Sequence, residues 1–254
     1  MAYEIEFEDT FEGDRLDLTR WVLHYLPHWS SRERTAARYD VGGGLLRLRI
    51  DPDQEPWCPE LDGDIRVSSL QTGVFAGPVG SGVGQLRFTP EAVVREAQEP
   101  VRLYTPHHGL IEIRCKATDD PRAMVALWMI GYEDEPERSA EICVCEIFGR
   151  DVGADGARVG MGVHPFHDPR ITDEFAAEPL PIDAREFHVY AADWRPDAVS
   201  FSVDGEHVKT VRQSPDYPMQ LMLSLYDFPG GEPPDRHAKE FVVDYVLGYR
   251  RASA

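Results

Sequence analysis

The chain has 254 residues, 42% of them hydrophobic, and 26 basic residues stand against 45 acidic ones for a formal net charge of −19. That balance argues against nucleic acid and anionic membrane surfaces as partners, since both are held through basic patches. The length suits one all-β domain, and no stretch approaches the apolar length of a membrane span.

The segment from Met1 to Phe7 has neither a basic region nor an apolar run. It is read as lacking a secretory leader, which places the chain in the cytoplasm; a chain that had already lost a leader would be secreted. The cysteines are Cys58, Cys115, Cys143 and Cys145. Two of them stand at i, i+2 in a predicted strand and are poorly placed to bridge each other, so free thiols in a reducing compartment are expected.

Short apolar runs separated by turn residues predict strands along most of the chain. The first clear one is 45–50. Residues 51–68 then read as a long loop with Pro52, Pro56 and Pro59 around Trp57-Cys58. A second long irregular region, 76–108, carries Gly77, Gly80, Gly82 and Gly84, and within it the spacing predicts a helix over 90–97 capped by Thr89. No Lys-Ser/Thr follows those glycines and no strand-to-helix context surrounds them, which argues against a phosphate-binding loop. Loops of this length in a compact domain are expected to form cleft walls or lids. Further strands are predicted at 109–116, at 199–203 with Asp204-Gly205 turning into 207–211, and at 241–249. No repeat or composition break divides the chain, so one antiparallel β domain over 1–254 is expected.

The most informative segment is Glu141-Ile142-Cys143-Val144-Cys145-Glu146. Two carboxylates on an apolar, strand-like stretch are unusual. In a regular strand Glu141 and Glu146 face opposite ways, and one extra bulged residue between them brings both to one face. Such a pair in a cleft can cleave a glycosidic bond with retention. Structural salt bridges are the alternative role for carboxylates in such positions.

This segment resembles the Glu-x-Asp-x-x-Glu signature of glycoside hydrolase family 16, the laminarinase, lichenase and agarase group. The resemblance runs in order along the chain, through Asp9-Thr10-Phe11 with Leu16-Asp17 and Trp21, and through Gly44-Leu45-Leu46-Arg47-Leu48. It continues in Gly109-Leu110-Ile111-Glu112-Ile113-Arg114 and Ala126-Leu127-Trp128-Met129, then Phe187-His188-Val189-Tyr190 with Trp194, Val203-Asp204-Gly205, and Val243-Asp244-Tyr245-Val246. It implies an all-β, concanavalin A-like jelly roll, a sandwich of two curved antiparallel sheets with a concave substrate cleft. It also implies a carbohydrate substrate and a retaining endo-β-glycosidase acting on β-1,3- or mixed-linkage glucan. Carried over by position, Glu141 is the nucleophile, held ionised, and Glu146 the general acid/base, held protonated until used.

Cys143 departs from the pattern, standing where the family has its central aspartate. A neutral thiol removes one negative charge and a good hydrogen-bond partner from between the glutamates. The alternatives to ordinary hydrolysis are therefore a carbohydrate-binding or repurposed protein with little turnover, or an intracellular enzyme acting on a small glycoside or other metabolite. Cys145 is assigned to core packing.

Trp128 on the preceding strand, and Trp57 and Trp29 in loop surroundings, are candidate sugar platforms, against the usual burial of Trp. Of these, Trp128 and Trp57 are taken as substrate-binding residues together with His164, which matches a histidine often found at the cleft wall in the family. Trp21 and Trp194 are assigned to the core. His164 and His167 lack an evident third ligand for a metal site. Some family members carry a calcium ion on the convex sheet, and its matching positions here are Thr10, Gly44 and Asp244. Only Asp244 supplies a carboxylate, where calcium takes six to eight oxygen ligands. No cofactor is required, and a structural calcium ion is the one candidate.

Overall fold

The computed structural model describes residues 3–231 and 237–252. Two large antiparallel sheets form the framework. The eight-stranded sheet runs in the order Glu206–Val211, Val199–Val203, His188–Trp194, Gly109–Lys116, Lys239–Arg251, Leu46–Ile50 and Arg38–Val41, with Tyr3–Asp9 also pairing to Lys239–Arg251. The seven-stranded sheet runs Val152–Gly153, Gly156–His164, Glu141–Phe148, Ala123–Gly131, Met219–Asp227 and Arg66–Gln71, and Ala176–Leu180 pairs to Gly156–His164. Hairpin neighbours alternate with pairs distant in sequence, such as Gly109–Lys116 beside Lys239–Arg251 and Ala123–Gly131 beside Met219–Asp227, as in the expected jelly-roll sandwich.

Period-2 alternation explains which faces meet. Gly109–Lys116 alternates buried and half-buried residues, sending Ile111, Ile113 and Cys115 into the core between the sheets. Trp21 and Trp194 lie in that same core, as expected. Ala123–Gly131 is buried along its whole length because both of its faces are covered. Ala123, Val125, Leu127 and Met129 enter the core between the sheets, while Met124, Ala126, Trp128 and Ile130 join a second apolar cluster on the sheet's other side. That second cluster is closed by the long loops, through Tyr25, Leu26, Trp29, Trp57, Leu86, Ala92 and Val94. The loops therefore form walls over the seven-stranded sheet.

The helix predicted over 90–97 is absent, and the segment is an extended loop. Its true period is 2: Ala92 and Val94 are buried and Val93 points outward. The backbone of Val94 exchanges hydrogen bonds with Ser81 and Gly80, and the Arg95 N–H bonds to the His28 carbonyl. Long-range partners thus take the groups that a helix would have paired internally. Two one-turn helices, Arg32–Thr35 and Pro59–Asp62, lie in loops where no helix was expected.

The four cysteines are buried and unbridged. The Asp244 carboxylate is ion-paired to the Arg114 guanidinium. A calcium ion at the Thr10, Gly44 and Asp244 positions would have to displace that cation from the set's one carboxylate, so these residues do not fit an ion as they stand. Among the described residues no helix is long and apolar enough to cross a membrane.

Candidate active site

The strand Glu141–Phe148 carries the bulge that its sequence called for. Leu127 pairs with Cys145 and Trp128 with Cys143, leaving Val144 as the extra residue against the neighbouring strand. The register to Gly156–His164 shifts by one residue at the same place. Ile142, Val144, Cys145 and Ile147 consequently all enter the core between the sheets. Cys145 thus has the packing role expected of it. Glu141, Cys143 and Glu146 are left to share the other face.

Glu141 and Glu146 line one cleft of about 160 Å³ with Tyr25, Leu86, Met124, Ala126, Trp128 and Tyr226. Trp128 is a cleft residue as expected, its indole N–H donating to Ser224 Oγ at 3.2 Å. Gly160 sits opposite Glu146 in the sheet. A Cβ on Gly160 would stand 2.5 Å from the Phe175 ring and 3.2 Å from Glu146 Cβ, so only glycine lets that ring close against the glutamate. His164 pairs directly with Glu141 across the strands. Its Nδ1 is 3.0 Å from Asp173 Oδ2, and its ring stacks on Phe175 at 4.6 Å.

The Cys143 thiol donates to Glu141 Oε1 at 2.7 Å. Burial pushes that thiol well above its ordinary value, and the neighbouring carboxylates add to the effect, so the sulfur stays protonated and able to donate. Burial also lifts Glu141 to about 7, against the pull of the Cys143 hydrogen bond and of His164, while Glu146 adds to the rise. Glu146 is itself raised by burial, with His164 opposing. The expected division has Glu141 ionised and Glu146 protonated, and burial acts against ionisation of both. Both carboxyls are raised, and Glu141 is only half ionised at about pH 7.

Glu141 holds its proton more tightly folded than unfolded, so its contribution to stability is full below its unfolded value. That contribution is lost as pH rises through about 7. Between pH 4.5 and 8.5, Glu141→Gln is expected to gain about 2–3 kcal/mol on the wild type, read from denaturant melts. An unchanged difference across that range contradicts the raised value.

Trp57 is not a cleft residue. It is 2% exposed, its indole N–H donates to Asp62 Oδ2 at 2.7 Å, and its ring meets Tyr25 edge-on at 4.8 Å. It supports Tyr25, which lines the cleft in its place. Trp29 is likewise buried, with its N–H on the Gln85 carbonyl at 2.8 Å. His167 lines a different pocket, with Arg87, Glu133 and Glu137, and its Nε2 approaches the Arg87 carbonyl at 3.3 Å.

Sequence reasoning missed Tyr25, Leu86, Met124 and Tyr226. Met124 was within reach, being on the Trp128 face of the same strand. Tyr226 approaches Tyr25, hydroxyl to hydroxyl at 3.3 Å, from 201 residues away. Leu86 adopts φ 49° and donates its N–H to the buried Glu133 at 2.7 Å. No local pattern announces either arrangement.

Comparison with known proteins places these features in context. A model of glycosyl hydrolases family 16 matches residues 104–246. A Crh-like protein of Arthroderma benhamiae is 30% identical over 97 residues, which are 36% of this chain and 20% of that protein. A GlcNAcα1-4Gal-releasing endo-β-galactosidase from Clostridium perfringens is 30% identical with a TM-score of 0.84, covering 98% of this chain and 63% of that one. The catalytic domain of an endo-1,3-β-glucanase (laminarinase) from Thermotoga petrophila is 18% identical with a TM-score of 0.69, covering 99% of both chains. The chain thus spans a fifth of the curated relative and somewhat under two thirds of the galactosidase.

Proposed function

Because the chain belongs to glycosyl hydrolase family 16, we propose that it is an endo-β-glycosidase working by double displacement through Glu141 and Glu146. The observation that carries this reading is the bulge at Val144, which turns both glutamates into one cleft. Glu141 attacks the anomeric carbon and expels the leaving sugar as Glu146 protonates the glycosidic oxygen. Glu146, now ionised, deprotonates the water that attacks the same carbon and frees Glu141. Attack needs Glu141 ionised and departure needs Glu146 protonated, so kcat/KM is expected to follow a bell in pH with one limb near 7, set by Glu141. The Cys143 thiol donates to the nucleophile without carrying charge, holding Oε1 where the family's aspartate would add a negative charge.

The β-1,3- or mixed-linkage glucan expected from the family pattern has weaker support than a β-galactoside. The glucanases that share the fold are 17–19% identical, whereas the endo-β-galactosidase is similar at 30% across nearly the whole chain. We infer a β-galactose-containing glycan as substrate. The test is reducing-end release from β-galactan oligosaccharides with and without a terminal GlcNAc, beside laminarin and mixed-linkage glucan. Release from the galactosides, abolished in Glu146→Gln, is the expected result. Release from glucans alone overturns the galactoside assignment. Binding without release from any glycan favours the non-hydrolytic alternative.

A further inference from the structure

Cys143 gives the cleft a set of donors that an aspartate at this position would not. Glu141, Cys143 and His164 each offer one ligand atom, and the three atoms lie within 4.8 Å of one another. The grouping follows from the sheet: Glu141 and His164 are cross-strand partners, and Cys143 is two residues along on the Glu141 face. A carboxylate oxygen, a thiolate sulfur and an imidazole nitrogen match the tetrahedral preferences of zinc. The remaining vertex of such a tetrahedron is left for water.

Two further features suit an ion. The His164 Nδ1 is engaged by Asp173 at 3.0 Å, and the ring is stacked on Phe175, which leaves Nε2 for a ligand. A histidine held through its far nitrogen by a carboxylate is the usual support of a metal-bound imidazole. Charge also balances, since a thiolate and a carboxylate together neutralise a divalent ion in a buried place. The sulfur and Oε1 now share a hydrogen bond at 2.7 Å. Bonds of about 2.3 Å to sulfur and 2.0 Å to oxygen require that separation to open to roughly 3.5 Å, within reach of a glutamate χ adjustment.

We propose that the cleft binds one zinc-like divalent cation through Glu141, Cys143 and His164, and that the bound ion blocks hydrolysis by occupying the nucleophile. On binding, the S–H bond breaks, an S–Zn bond forms, and the proton leaves to solvent. The block rests on the glycosidase reading given above; the binding does not.

The test uses the full chain freed of metal with a chelator, and Co²⁺ as a spectroscopic probe. Wild-type protein is expected to show a near-ultraviolet thiolate-to-cobalt absorption saturating at one equivalent. Cys143→Ser and Cys143→Ala should lack it, and His164→Gln should need at least tenfold more cobalt. Melting curves establish that each variant is folded. Cys58, Cys115 and Cys145 remain in all of them, so a signal from those thiols would persist. Stoichiometric Zn²⁺ should displace the cobalt and suppress wild-type hydrolysis more than tenfold, with recovery on adding EDTA. No absorption in the wild type, or the same absorption in folded Cys143→Ser, overturns the site. A cobalt signal that follows Cys143 in a protein that hydrolyses no glycan when metal-free sustains the site and defeats the hydrolase reading instead.

Discussion

Glu141→Gln is expected to lower kcat on a β-galactoside by about 10⁴-fold or more, and Glu146→Gln by about 10²–10⁴-fold, in chelated buffer. The two losses differ in kind. Without a carboxylate at 141 no glycosyl-enzyme forms, whatever the leaving group. Without an acid at 146 the first step fails only where the leaving oxygen needs a proton. An activated aryl glycoside should therefore react with Glu146→Gln in a burst, as the intermediate accumulates for want of a base. Glu141→Gln should show no burst. Equal losses on both substrates in both variants would contradict the assigned roles. Neither substitution alters the bulge, because Val144 and Cys145 stay anchored in the core between the sheets.

Asp227→Asn is expected to destabilise the fold by about 3–5 kcal/mol, the usual cost of leaving a buried charge without its partner. Asp227 ends the strand Met219–Asp227 with a fully buried side chain. Arg66 donates to its Oδ2 through Nε at 2.9 Å and through a terminal nitrogen at 2.6 Å. Arg122 adds two contacts at 3.1 Å, and the buried Lys239 ammonium lies 3.6 Å from Oδ1. The amide would leave three cations around a neutral group. The cluster joins the strand Arg66–Gln71 and the segment before Ala123–Gly131 to the start of Lys239–Arg251, so it fastens one sheet to the other. Chemical denaturation reads the effect, and a loss below about 1 kcal/mol would place the ion cluster among weak surface pairs.

The sequence made the core of the site legible, and the reason is local. A bulge inverts alternation, and the pattern Glu-Ile-Cys-Val-Cys-Glu makes sense on one face only with an added residue at Val144. His164 followed from family pattern, and Trp128 from its place on the adjoining strand. The walls were not legible. Trp57 carries the same aromatic signal as Trp128, but its loop turns it behind Tyr25, and only the packing of distant segments decides which ring meets the cleft. The segment 90–97 has helix-compatible composition, yet its backbone is claimed by residues 28, 80 and 81. The raised Glu141 was hidden for a related reason. Its desolvation comes from walls assembled out of residues near 25, 86 and 226, none of them close in sequence.

In double displacement Glu141 is the residue that becomes glycosylated. An activated 2-deoxy-2-fluoro-β-glycoside, built on the sugar that the substrate panel identifies, should inactivate the metal-free protein one to one. Mass spectrometry of the peptides should then place the sugar on Glu141. A label on another residue, or an inverted product with no adduct, would contradict it.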